Sequence, residues 1–245
     1  MTGPTRPRVV SLVPSVSETL VAWGVTPVAV TRFCEQPGLA TVGGTKNPDV
    51  AAIVGLAPDL VVVNDEENRR EDADALAAAG LALHVVVIRG VDDVGPELDR
   101  LAGAVGVAPP GWRAPPRPDR LDRLDRPDRP DRPDGAPRRR AFVPIWRRPW
   151  MTLSGATYGS SLLEAVGVEN VFADAVDRYP EVTLEEAAAR RPDVVLAPSE
   201  PYAFRPAHLE ELRQVAPVVE VDGQDLFWWG ARTPAAIDRL AGAVR

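Results

Sequence analysis

The stretch Pro58-Asp59-Leu60-Val61-Val62-Val63, continued by Asn64-Asp65-Glu66-Glu67, decides the fold, because the chain writes it again as Pro192-Asp193-Val194-Val195-Leu196-Ala197, continued by Pro198-Ser199-Glu200-Pro201. Each copy is a continuous apolar run of strand length, the pattern of a strand covered on both faces. Each follows a short Ala-rich helical stretch and ends in a polar, acidic loop. A helix and buried strand written twice predict two similar α/β lobes, each presenting such a loop at the carboxyl end of a strand. Two facing loops of this kind suggest a clamp.

Working outward, the first lobe reads as a strand over Val9 to Leu12, then a helix opened by a capping box, Ser15 with Glu18, running to Trp23 and stopped by Gly24. A short strand at Val28 to Val30 and an irregular stretch from Arg32 to Lys46 follow. Asn47-Pro48 then caps a helix that ends near Pro58. Beyond the repeated strand come a helix over Glu71 to Ala79, a strand over Leu83 to Ile88 and a helix over Asp92 to Val105. The second lobe repeats the order: a strand over Ala141 to Ile145, a capping box of Ser161 and Glu164 on a helix ending at Gly167, and a capping box of Thr183 and Glu186 on a helix running to Arg191. A strand over Val218 to Val221 and a helix capped by Thr233-Pro234 complete it. Strands alternating with helices imply parallel sheets. The division is a lobe over 8–107, a segment over 108–140 and a lobe over 141–245. Nine of the chain's 26 prolines fall between 109 and 140, and residues 115–134 within that span are a low-complexity tract built on Pro-Asp-Arg and Leu-Asp-Arg triplets. Proline at that density favours extended conformers, so the segment reads as a solvated linker.

Composition excludes several classes. The net charge is −7, and residues 109–140 hold ten arginines and six aspartates; removing them from 28 basic and 35 acidic residues leaves 18 against 29, or −11 for the lobes. Lobes this acidic are poor nucleic-acid binders. No run of about 18 apolar residues exists to span a membrane. Met1 to Val10 lacks the apolar core of a secretion signal, so the chain as written is expected in the cytosol, and outside it only if the start is misassigned. Cys34 is the only cysteine and leaves the redox compartment open.

Residues Arg8-Val9-Val10-Ser11-Leu12-Val13-Pro14-Ser15 with Glu18, the run Leu56 to Val62, and Gly155 through Phe172 with Tyr158 and Gly167-Val168-Glu169-Asn170 resemble the iron-siderophore and cobalamin-binding class of substrate-binding proteins, the class III or helical-backbone metal-receptor family. The resemblance covers nearly the whole chain outside the linker. It implies an α/β architecture of two Rossmann-like lobes, chelatase-like, with parallel sheets flanking a central cleft. It implies a ligand, a corrinoid, haem-like compound or ferric siderophore, held in that cleft and handed to an ABC transporter permease. It further implies docking on the transporter through glutamates, for which Glu66, Glu71 and Glu200 are the candidates. Members usually join their lobes through one long helix, whereas here only Asp92 to Val105 is free to be helical before proline begins.

The residues themselves supply candidates for the binding chemistry. Trp146, Trp150, Tyr158, Tyr202, Phe204, Phe227, Trp228 and Trp229 all lie in the second lobe, several just past strand ends. Flat aromatic faces suit a planar, partly apolar ligand, and the interleaved Arg147, Arg148 and Arg232 suit its acidic groups. Ser15, Phe33, Cys34, Lys46, Asn64 and Glu67 are the first-lobe candidates. The plainer reading of the rings is packing, and of the acids a solvated helix start favoured by the helix dipole. A lone Cys34 without clustered histidines makes no metal site, His84 reads as buried in a strand, and His208 as lying on a surface helix, so metal is expected only inside an organic ligand. Ser154 to Ser160 lacks the lysine of a phosphate loop, and no nucleophile elbow occurs. The expected function is a monomeric, non-catalytic binding protein with no covalently bound cofactor. An enzyme or metallochaperone acting on a tetrapyrrole, and a scaffold for a protein partner, stand as alternatives.

Overall fold

The structure, a computed structural model, describes residues 6–115 and 138–244 and contains two compact units. The first holds β1 (Val9–Ser11), α1 (Pro14–Ala22), β2 (Ala29–Val30), the small ribbon β3 (Gly43–Gly44) and β4 (Asn47–Pro48), α2 (Val50–Gly55), β5 (Leu60–Asn64), α3 (Arg70–Ala78), β6 (Leu83–Val86) and most of α4 (Val91–Val105). Its main sheet has the order β2-β1-β5-β6, all parallel. The second holds β7 (Arg139–Phe142), α5 (Tyr158–Ala165), β8 (Val168–Asn170), α6 (Leu184–Ala189), β9 (Val194–Pro198), α7 (Pro206–Arg213), β10 (Val218–Val221), α8 (Gly223–Phe227) and α9 (Thr233–Ala243). Its sheet, β10-β9-β7-β8, has the same topology, and the α/β class with parallel sheets is as expected.

The repeated Pro-Asp pair has one structural job in both units. Asp59 accepts the main-chain N–H of Arg8 at 2.7 Å and donates its own N–H to the Arg8 carbonyl at 2.9 Å; Asp193 does the same with Arg140 at 2.8 and 2.8 Å. The arginine then reaches back to the end of the preceding helix, Arg8 to the Leu56 carbonyl at 2.9 Å and Arg140 to the Arg190 carbonyl at 2.7 Å. Ala57 and Arg191 turn the chain between that helix end and the proline with φ of 44° and 50°. A non-glycine residue in the left-handed region costs about 1–2 kcal/mol, which the three hydrogen bonds of each clip offset. The clip sets the pairings Val9 to Leu60 and Ala141 to Val194. Around it each core closes: Val10, Leu12, Ile53, Val61, Val63 and Leu76 in the first unit, Phe142, Phe172, Val195, Ala197, Leu209 and Leu212 in the second.

Several helix starts differ from the expected caps. Helix α1 begins at Pro14 after Val13, which puts Ser15 inside the helix rather than at its cap. Helix α2 is capped by Asp49, whose side chain accepts from Ala52 N–H, while Asn47-Pro48 goes to the ribbon with Gly43-Gly44. Helix α5 is capped by Thr157, and Ser161 lies in its interior, its hydroxyl accepting from the Val91 N–H at 2.9 Å. The box of Thr183 and Glu186 forms as expected, with both bonds present. In the two Ser-x-x-Glu misses the cap position went instead to a nearby residue in extended backbone, Val13 and Thr157. His84 is buried in β6 with Nε2 3.0 Å from Glu97 Oε1.

The units are not contiguous halves. Arg89–Val91 belong with the second, and Trp229–Arg232 with the first. Most of the segment read as a linker, 116–137, lies outside the described residues. Beside it β7 begins at Arg139, and Arg113 pairs with Asp99 of α4 at 2.8 Å, holding that carboxyl below its usual range. Gly95 admits this return of the chain, since a Cβ there would lie 2.2 Å from the Trp112 carbonyl oxygen. If the Pro-Asp clip sets strand register, Asp59→Ala and Asp193→Ala each lower unfolding free energy by about 1 kcal/mol in urea titrations, the value of one lost hydrogen bond. Because the two clips share no partner, the double variant loses the sum.

Candidate ligand-binding site

Because β7 and β9 are parallel neighbours, the loops that leave their carboxyl ends emerge side by side. The first carries Trp146-Arg147-Arg148-Pro149-Trp150, folded back on itself by hydrogen bonds between Trp146 and Met151 and between Ile145 and Met151. The second carries Tyr202 and Phe204. Their rings meet: Trp146 and Tyr202 edge to face at 5.2 Å, Tyr202 and Phe204 tilted at 5.0 Å, Phe204 and Trp150 near-parallel at 6.0 Å. His208 of α7 adds its ring at 5.7 Å from Tyr202. Trp150 and Phe204 pack on the core of their unit, while Trp146 stays 44% exposed and Tyr202 half-buried. The result is a platform fixed at its base with ring surface open at its rim, suited to stacking a flat ligand.

Charge in this platform is paired. Arg147 lies 5.7 Å from the Trp150 ring centroid and donates to Glu211 of α7 through two nitrogens, Nε to Oε2 at 3.1 Å and Nη2 to Oε1 at 2.7 Å. The guanidinium holds the Glu211 carboxyl below its usual range, and the carboxylate in turn raises the Arg147 pKa. His208 and Glu211 join a set in which Trp146, Arg147, Trp150, Tyr202 and Phe204 were the expected members. Glu211 left no signal in the sequence, where it reads as one of several acids on an exposed helix.

The other expected residues lie elsewhere. Tyr158 is buried, its hydroxyl 3.1 Å from Thr233 Oγ1. Phe227 and Trp228 are half-buried in the second unit at the end of α8, whereas Trp229 and Arg232 belong to the first. There Arg232 forks Glu18 at 2.7 Å through both nitrogens, and Ala231 N–H donates to Thr19 Oγ1 at 3.1 Å. Gly230, at φ 128°, is required by this approach, since a Cβ would lie 2.2 Å from Thr19 Oγ1. Also in the first unit, Phe33 is 51% exposed beneath the Arg32 guanidinium. The Cys34 thiol donates to Ser17 Oγ at 3.1 Å, which donates onward to Ser11 Oγ at 2.9 Å. Asn64 uses both ends of its amide on the main chain, accepting from Glu66 and Glu67 N–H and donating to the Val86 carbonyl. Lys46 donates to the Glu66 carbonyl. Glu71 is exposed in the first turn of α3, and Glu200 is half-buried beside Gly223. Ser15 is 3% exposed, and its hydroxyl has no partner among the described residues. No group of three or more His, Cys, Asp or Glu positioned for a metal occurs among the described residues, and no described helix is long and apolar enough to cross a membrane.

No family model matches the chain. A vitamin B12-binding protein of Yersinia pestis (strain Pestoides F) is 28% identical over 195 residues, covering 77% of this chain and 68% of that protein. Among solved structures, the periplasmic vitamin B12 binding protein of Vibrio cholerae aligns with a TM-score of 0.74 at 20% identity, covering 98% of this chain and 96% of the other. A periplasmic haem binding protein from Pseudomonas aeruginosa aligns with a TM-score of 0.76 at 20% identity, covering 98% and 93%. At that identity the two structures establish the fold. The cytosolic expectation is corrected by these findings: the solved proteins it resembles are periplasmic.

Two outcomes follow from the paired and unpaired groups. A carboxyl held low by its partner contributes stability above its unfolded pKa and loses it as pH falls through the folded one. The melting-temperature advantage of the wild type over Glu211→Gln is therefore constant from neutral to mildly acidic pH and disappears below the ordinary carboxylate range. Ser15→Ala, which removes a buried hydroxyl without a partner, raises unfolding free energy by about 1 kcal/mol in denaturant titration of the ligand-free protein.

Proposed function

We propose that this chain, which matches the iron-siderophore and cobalamin-binding class of substrate-binding proteins in sequence pattern and fold, is a non-catalytic binding protein for a planar metal chelate, a corrinoid or a haem-like compound. The observation that carries this reading is the platform of Trp146, Trp150, Tyr202 and Phe204, four rings brought together at the carboxyl ends of two parallel strands in a chain whose curated relatives are vitamin B12-binding proteins.

In this reading the metal enters inside the organic ligand and the ligand leaves unchanged, as cargo rather than cofactor. The platform offers stacking surface and paired charge, with none of the nucleophile and base geometry that turnover requires. The ligand-contacting surface in this reading is the platform itself, Trp146, Trp150, Tyr202 and Phe204 of the second unit. The protein acts outside the cytoplasm as a monomer and passes its cargo to an ABC transporter permease, docking through Glu66, Glu71 and Glu200. The lobes 8–107 and 141–245 are joined by 108–140.

The test is a thermal-shift and absorbance screen of the purified protein against cobalamin, cobinamide, haem and ferric siderophores. A stabilisation of several degrees by one of them is expected, since a ligand at about 100 times its Kd adds about 2.7 kcal/mol. Trp150→Ala and Trp146→Ala lose that stabilisation. Absence of a shift with every compound rejects the reading.

A further inference from the structure

Arg147 was expected to meet the ligand, yet the structure engages it from behind. Its side chain is 16% exposed, its guanidinium is gripped at two points by Glu211, and the guanidinium carbon lies 5.7 Å from the Trp150 ring centroid. Glu211 is itself well anchored. Its neighbours on α7, Leu209 and Leu212, are buried in the core on which Trp150 and Phe204 also pack. One turn earlier on the same helix, His208 touches Tyr202. Residues three apart share a helix face, so α7 supports both aromatic loops from one side, His208 under the loop after β9 and Glu211 under the loop after β7.

We propose that Glu211 is a positioning and specificity residue of the platform: its fork fixes Arg147 against Trp150 and withdraws that cation from the acidic groups of a bound ligand. The inference rests on the binding function proposed above. A bidentate guanidinium–carboxylate pair has both its geometry and its charge satisfied, so it offers a ligand carboxylate little. Arg148 and Arg205 flank the same rings in sequence and are exposed, and the Arg148 charge also acts on the Glu211 carboxyl. The platform as built therefore discriminates weakly between a ring that carries carboxylates near Arg147 and the same ring with those groups masked.

The experiment compares ferric protoporphyrin IX with its dimethyl ester, one ring with and without carboxylates, by absorbance titration of the full chain. In Glu211→Gln the ratio of affinities, acid over ester, rises about tenfold as Arg147 is released, the effect of one charge-assisted contact. Affinity for the ester falls because Trp150 loses its support. Glu211→Asp keeps the wild-type ratio, and the double variant Glu211→Gln, Arg147→Gln returns to it. Equal loss of both affinities in Glu211→Gln, or no change in either, overturns the specificity role. Near-ultraviolet circular dichroism of the ligand-free proteins separates the two proposals: Glu211→Gln alters the tryptophan bands and Glu211→Asp does not. Unchanged bands overturn the positioning role whether or not a porphyrin binds. A wild type that binds neither porphyrin while the bands still change rejects the specificity role and the haem-like ligand, and leaves the positioning role supported.

Discussion

A parallel strand starts with main-chain groups that no neighbour in its own helix can satisfy, and in both units one aspartate meets that need. Asp59 and Asp193 each exchange two hydrogen bonds with the arginine that precedes the adjacent strand. This contact sits at the amino edge of each sheet, yet it governs the opposite edge. Side chains alternate along a strand, so a slip of one residue would exchange the two packed faces of each strand and would displace the loops beyond. With Ala141 opposite Val194, the loops bearing Trp146 and Tyr202 leave the sheet at one level and their rings meet.

The platform shows how charge serves aromatic order in an acidic protein. Arg147 could have been a ligand contact by composition alone. Its bond to Glu211 instead gives the loop after β7 a fixed point on α7, and the core beneath α7 makes that point rigid. A similar economy appears in the first unit, where Arg232 takes Glu18 and Gly230 lets the main chain close on Thr19. In both places a bidentate arginine ties a loop without regular structure to a helix that has it, where a lysine would supply charge without the planar fork.

How much was legible follows the range of the interactions involved. Leu60–Asn64 and Val194–Pro198 were readable because a buried parallel strand must be apolar at every position, whatever packs on it. The box at Thr183 was readable because its partners are three residues apart. The boxes at Ser15 and Ser161 had the same spacing and failed. Glu18 instead pairs with Arg232 and the Ser161 hydroxyl with Val91, partners that spacing along a helix does not reveal.

The sequence by itself determined the α/β class, the duplication, the two Pro-Asp strands and the clustering of aromatic residues in the second half, because these depend on local periodicity and on which residues survive burial. Tertiary structure alone decided which aromatic rings touch, that Arg147 answers to Glu211, that Tyr158 and Asn64 are occupied within their own units, and that the chain at Trp229–Arg232 joins the first unit. Those outcomes depend on strand register and on contacts between residues far apart in the chain, and neither leaves a mark in the spacing of the residues that make them.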